Sequence, residues 1–288
     1  MHDTLAIIGP GTLGRALASW ASLRGLLVRL AGRDLDHSRE GLRAIEAGWE
    51  RGLAKGSLDQ EAVSRALKGL RACGTWDEAL EGAGTVLEAL PESLPCKIGA
   101  WALLDRACGQ ALRLTGSSSL PLRAIRAGAG MQGRLLGFHL FLPLERMDVV
   151  ELVSEHGTPP ALLERAGALA GSLDRGVVPV RDGAGYVASR MALAQGLEAM
   201  RLLESGAADA EGLDALMVRG YGHPMGPLEL SDRIGLDLRL AIARGIFEAT
   251  GDPSFQPPAI LESLVARGCL GVKSGRGFHT WPRPGGRP

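Results

Sequence analysis

Through roughly the first 180 residues, short apolar runs alternate with longer stretches of helix-forming residues. The runs predicted as strands are Leu5–Ile8, Leu26–Leu30, Thr85–Leu90, Ala111–Thr115, Arg134–Phe138, Val149–Val153 and Val177–Val180. Most are apolar at successive positions and do not alternate with polar ones, the pattern of strands covered by helices on both faces. Strand and helix taking turns predict an α/β domain built on a doubly wound parallel sheet. A helix is predicted over Thr12–Leu23, stopping at Gly25, and the Ala-, Leu- and charge-rich segment Ser38–Arg71 predicts a long helical pair after the second strand. Beyond Asp182-Gly183-Ala184-Gly185 the pattern changes. Tyr186–Leu203, Leu228–Thr250 and Ile260–Ala266 read as helices with no strand signal between them. Two domains are therefore expected, residues 1–183 and a smaller, all-helical one over 184–288. The Pro/Gly/Arg tail Pro282–Pro288 is expected to fray.

Charge changes this picture only by exclusion. The 288 residues carry 32 basic and 32 acidic side chains, so no net charge draws the chain to nucleic acid or an anionic membrane. No apolar run approaches the ~20 residues that span a bilayer. The first residues lead straight from a strand into glycines, unlike a signal peptide. Cys73, Cys96, Cys108 and Cys269 are widely spaced, without a CxxC pair. Reduced thiols and a cytoplasmic location are the expectation. No His, Cys and carboxylate cluster has metal-site spacing, so no metal is expected.

Candidate chemistry begins at Gly9-Pro10-Gly11-Thr12-Leu13-Gly14, between the first strand and the helix at Thr12. Gly9 permits a tight turn, Gly11 lets the backbone approach a pyrophosphate, and Gly14 allows close helix–strand packing. The helix N-terminus then faces the anion. In that context the loop predicts a Rossmann-like dinucleotide site. After the second strand, where an acidic residue is expected to take the ribose hydroxyls, the chain has Gly32 and Arg33. A guanidinium beside a missing carboxylate suits a 2′-phosphate, while Asp34 or Asp36 offers an alternative ribose ligand. NAD and NADP are both left open.

Three further segments bring polar residues to the sheet's carboxyl edge, where open parallel sheets bind ligands. These are Thr115-Gly116-Ser117-Ser118-Ser119, Gly137-Phe138-His139-Leu140-Phe141, and Asp148-Val149-Val150-Glu151, which sets a carboxylate inside an apolar strand. With them come Glu88-Ala89-Leu90-Pro91-Glu92, Gly185-Tyr186 with Arg190, His223-Pro224-Met225-Gly226-Pro227, and Gly271-Val272-Lys273-Ser274-Gly275-Arg276-Gly277-Phe278. In these ordered blocks the chain resembles the L-3-hydroxyacyl-CoA dehydrogenase family over nearly its whole length. The resemblance implies an NAD(P)-dependent oxidoreductase acting on an acyl thioester, borne by coenzyme A or a carrier protein, with a free hydroxy acid as an alternative. It implies His139 as general base and acid, Glu151 as its orienting carboxylate, and Ser118 as a hydrogen-bond donor to the reacting oxygen. Glu92 and Lys97 join the cofactor loop as candidate ligands. The helical domain is expected to hold substrate and to form a homodimer, while His223 is read as a turn residue.

Two positions depart from the family. Ser189 stands where the resemblance places an active-site Asn, and Leu142 replaces a second Asn in the His139 segment. Serine keeps one hydrogen bond but loses the reach of the planar amide. The departures bear on which acyl group is bound more than on hydride chemistry.

Overall fold

The central strand β1 (Thr4–Ile8) is apolar because both of its faces are covered: Leu5, Ala6, Ile7 and Ile8 are at most 1% exposed. Leu5 and Ile7 enter one core and Ala6 and Ile8 the other, as the period-two geometry of a strand requires. The computed structural model describes residues 4–282. After β1 come α1 (Thr12–Leu23), β2 (Val28–Ala31), α2 (Leu35–Ala54), α3 (Gln60–Gly69), β3 (Leu70–Cys73), α4 (Trp76–Leu80) and β4 (Ala83–Glu88). The chain continues with α5 (Leu94–Ala107), β5 (Leu112–Thr115), α6 (Leu122–Ala129), β6 (Leu136–Leu140), β7 (Val149–Ser154), α7 (Pro160–Ser172) and β8 (Gly176–Arg181). They form one sheet in the order β3-β2-β1-β4-β5-β6-β7-β8. The sheet's order reverses direction of growth at β1, so β1 and β4 flank the switch point where such sheets bind ligands.

Three sequence expectations need correction. The helical pair placed over Ser38–Arg71 ends at Gly69, and Leu70–Cys73 is a strand, β3, which pairs only with β2. Four residues on a sheet edge, one an exposed arginine, carry too little pattern to separate from the preceding helix. The sheet is also not wholly parallel. β7 runs antiparallel to β6, and β8 is parallel to β7. The turn from Phe141 to Asp148 is shorter than the ~12 residues that a parallel crossover needs, so the chain reverses directly. Finally, Leu228–Thr250 is two helices rather than one. Gly235, at φ +102°, breaks the run where an L side chain would be strained.

By its internal contacts the chain divides into two units after Tyr186. The second unit comprises α8 (Ala188–Glu204), α9 (Ala210–Ala215), α10 (Pro227–Ile234), α11 (Leu236–Thr250) and α12 (Ala259–Ala266). A π-helical turn, Leu216–Gly220, extends α9; neither element carried a clear sequence signal. Two buried aspartates bind this unit together. Asp214 accepts hydrogen bonds from the Leu228 and Glu229 amides at 2.8 and 2.9 Å, capping α10 from outside. Asp232 accepts from the amides of Phe278 and His279 and from the Trp281 indole, fastening the last described residues to α10.

Candidate active site

The glycine loop shows why its residues are what they are. Gly9 sits at φ +111°, and a Cβ there would come within 2.7 Å of the Ala89 carbonyl oxygen. A Cβ on Gly14 would collide with the Gly9 carbonyl oxygen, so α1 can pack against the loop only with glycine there. Gly11 precedes α1 in an extended conformation, and no side chain caps the helix. The amides opening α1, at Thr12, Leu13 and Gly14, thus lie at a helix start with no competing side-chain acceptor. A dinucleotide pyrophosphate fits this cradle. Leu13 also packs toward β5, filling the space that a side chain on Gly116 would need.

At the end of β2, the Gly32 amide donates to Ser38 Oγ at 2.7 Å, and its carbonyl accepts from the Trp76 indole at 2.8 Å. Arg33 is largely exposed, with Nε 3.2 Å from Asp34 Oδ2. Asp34 caps α2 by accepting from the His37 amide at 2.7 Å. That bond, helped by Arg33, holds the Asp34 carboxyl below its ordinary value.

Beyond β4 and β5 lies a buried charged cluster. The Lys97 side chain, on α5, is fully buried. Its Nζ lies 2.7 Å from Glu88 Oε1, 3.2 Å from the Leu90 carbonyl and 3.6 Å from Glu92 Oε2. Glu88, equally buried, also accepts from Thr115 Oγ1 and the Leu90 amide at 2.7 Å each. Lys97 is therefore not the solvated helix-start lysine its position suggests. Its ammonium, with three protons, faces three protein acceptors. Glu92 Oε1 gathers the serine turn: the Ser117, Ser118 and Ser119 hydroxyls at 2.8, 3.2 and 2.9 Å, and the Ser118 and Ser119 amides at 2.9 and 2.8 Å. Burial pushes the Glu92 carboxyl up, but the Lys97 charge and the serine donors outweigh it and leave the group below its ordinary value.

The antiparallel pairing of β6 and β7 sets His139 directly opposite Glu151, so their side chains share a face. His139 Nδ1 lies 2.5 Å from Glu151 Oε2, with His139 8% and Glu151 4% exposed. A carboxylate facing Nδ1 favours the ring tautomer that carries its proton on that nitrogen. The imidazole packs on Phe141, ring centroids 4.5 Å apart, and on Tyr186 at 6.1 Å. The buried Tyr186 hydroxyl donates to the Leu120 carbonyl at 3.0 Å, and burial raises its phenol well above the usual range. Tyr186 thereby links the end of the serine turn to the histidine. Leu142, two residues beyond β6, is 40% exposed, and Ser189 occupies the first turn of α8 in the helical unit.

Glu88, Ser117 and Tyr186 belong to this cluster although the sequence alone assigns them no site role. Glu88 had a readable signal, a carboxylate inside an apolar strand, the same feature that singles out Glu151. Nothing in the spacing reveals that three serines converge on Glu92. Among the described residues no group of three or more His, Cys, Asp or Glu side chains could hold a metal ion, and no helix is long and apolar enough to cross a membrane.

Comparison with known proteins matches residues 4–183 to the family described as 3-hydroxyacyl-CoA dehydrogenase, NAD binding domain, and residues 185–281 to its C-terminal domain. The chain belongs to the 3-hydroxyacyl-CoA dehydrogenase family. It is an oxidoreductase with an NAD(P)-binding Rossmann domain followed by a helical domain. A probable 3-hydroxybutyryl-CoA dehydrogenase of Bacillus subtilis is 32% identical over 278 residues, covering 96% of each chain. A 3-hydroxyadipyl-CoA dehydrogenase of Escherichia coli is 35% identical over 97% of this chain and 59% of that one. Among solved structures, Mycobacterium tuberculosis FadB2 superposes with a TM-score of 0.90 at 32% identity, over 98% of this chain and 99% of that one. The (S)-3-hydroxybutyryl-CoA dehydrogenase PaaH1 of Ralstonia eutropha gives 0.92 at 27% identity, over 98% and 100%.

Proposed function

We propose that the chain interconverts the 3-hydroxy and 3-oxo forms of an acyl-CoA, with His139 as general base and acid. The observation that carries this reading is the buried 2.5 Å contact between His139 and Glu151 at the sheet's edge. A nicotinamide dinucleotide, when bound, supplies the hydride acceptor for oxidation and the donor for reduction. His139 Nε2 takes the proton of the substrate hydroxyl during oxidation and returns it during reduction. Glu151 fixes the ring in one tautomer and orientation, and its charge stabilises the imidazolium. Phe141 and Tyr186 wall the ring from water, which strengthens that pairing. Ser118, whose hydroxyl makes the longest of the three serine contacts to Glu92, turns that proton from Glu92 to the substrate oxygen as charge develops on it.

Gly9, Gly11, Thr12, Leu13 and Gly14 hold the pyrophosphate. Glu92 and Lys97 serve the cofactor site by shaping the segment from Glu88 to Glu92, since the Lys97 ammonium is enclosed by Glu88, Leu90 and Glu92. Residues 1–183 form the dinucleotide-binding domain, and residues 184–288 the substrate and dimerisation domain. Exposed Leu202, Leu216 and Tyr221, which line one apolar groove, support a homodimer formed through the helical unit. The four free cysteines support action in the cytoplasm.

Ser189 and Leu142 favour an acyl group different from the one an amide pair would hold. The test is dinucleotide reduction with 3-hydroxyacyl groups of graded length on coenzyme A, on a carrier protein and as free acids. Coenzyme A thioesters are expected to be the best substrates, turned over by a species with the mass of two chains. Ser189→Asn is expected to raise activity on 3-hydroxybutyryl-CoA several-fold. Activity confined to the free acids would overturn the thioester reading, and an unchanged Ser189→Asn enzyme would remove that residue from substrate choice.

A further inference from the structure

We propose that the preferred dinucleotide is NADP, its 2′-phosphate held by Arg33 beside Gly32 at the end of β2. This rests on the dehydrogenase reading and adds to it the chemical class of the cofactor. In a sheet of this topology the adenosine ribose lies at the end of the strand next to β1, where a carboxylate accepts from both ribose hydroxyls and repels a 2′-phosphate. Here that position is Gly32. A side chain there would have to displace the His37 ring, because a Cβ on Gly32 would come within 2.7 Å of His37 Nδ1. The turn is held in this shape from both sides, by Ser38 Oγ on the Gly32 amide and by the Trp76 indole on its carbonyl.

The carboxylates that follow are poor substitutes. One oxygen of Asp34 accepts from the His37 amide, and the other faces Arg33 Nε. Turning Asp34 to a ribose would uncap α2 by releasing the His37 amide. Asp36 lies inside the first turn of α2.

Arg33, by contrast, is ready to take an anion. Its side chain is 79% exposed and its ion pair with Asp34 is a surface contact, weakened by water and salt. A phosphate dianion offers a guanidinium a bidentate, charge-assisted partner that is stronger than the exposed carboxylate. His37 contributes a second polar group: its Nδ1 accepts from the Arg33 amide at 3.4 Å, so the neutral ring carries its donor on Nε2.

The decisive experiment is calorimetric titration of the purified full chain with NADP, NAD, 2′,5′-ADP and 3′,5′-ADP, in the wild type and in Arg33→Ala. NADP is expected to bind at least tenfold more tightly than NAD. 2′,5′-ADP should bind more tightly than 3′,5′-ADP, which separates a ribose 2′-phosphate from the 3′-phosphate that coenzyme A carries. Arg33→Ala should shrink the NADP to NAD preference about tenfold. Equal or tighter binding of NAD by the wild type would overturn the proposal and leave the dehydrogenase reading standing. An unchanged preference in Arg33→Ala would overturn the role of that residue. Binding of neither dinucleotide would overturn this proposal together with the reading beneath it.

Discussion

His139→Ala is expected to lower turnover by ~10²–10⁴, the usual contribution of a positioned general base, while dinucleotide affinity stays at the wild-type value. The separation of the two effects follows from where the residues lie. The glycine loop, the proposed dinucleotide cradle, follows β1, whereas His139 sits in β6 and faces Glu151 across the pair. Without the imidazole the hydroxyl proton loses its proposed acceptor, but the loop and its helix start are untouched. Steady-state turnover and dinucleotide titration on the same preparation check both halves. Turnover within a fewfold of wild type would remove His139 from the chemistry.

Lys97→Met is expected to destabilise the protein by about 3–5 kcal/mol, the range for breaking a buried ion pair by removing one partner. Methionine matches much of the lysine's volume, so the loss is electrostatic rather than a cavity effect. Glu88 would then stand fully buried without its cation, and the Leu90 carbonyl and Glu92 would lose a donor. Removing the exposed Arg65, which pairs with Glu61 one helical turn away, should change stability by less than about 0.5 kcal/mol. Urea unfolding of the two variants makes the comparison. Similar midpoints for both would show that burial does not set the strength of the Lys97 pair.

The parts of this molecule legible in its sequence are those where one residue type is demanded locally. Gly9 and Gly14 are fixed by a positive φ and a backbone approach, and both demands are written into a loop between strand and helix. Glu151 stands out because a carboxylate inside Val149–Val153 needs a partner, and His139 supplies one. What the sequence hides depends on where distant segments meet. β3 exists because β2 is there to pair with it. The reversal of β7 follows from a short turn whose length means little until both strands are placed. The Glu92 cluster draws on the serine turn some 25 residues further along, which no local pattern registers. Lys97 looks like any lysine near a helix start until α5 is packed over Glu88.

The central claim is that hydrogen leaves carbon 3 of an acyl thioester as hydride while His139 takes the hydroxyl proton. It is tested most directly with 3-hydroxybutyryl-CoA carrying deuterium on carbon 3, by mass spectrometry of the reduced dinucleotide. The account predicts that the reduced dinucleotide is one mass unit heavier and that none of the label appears in water. Reduced dinucleotide without label, or label released to solvent, would contradict it.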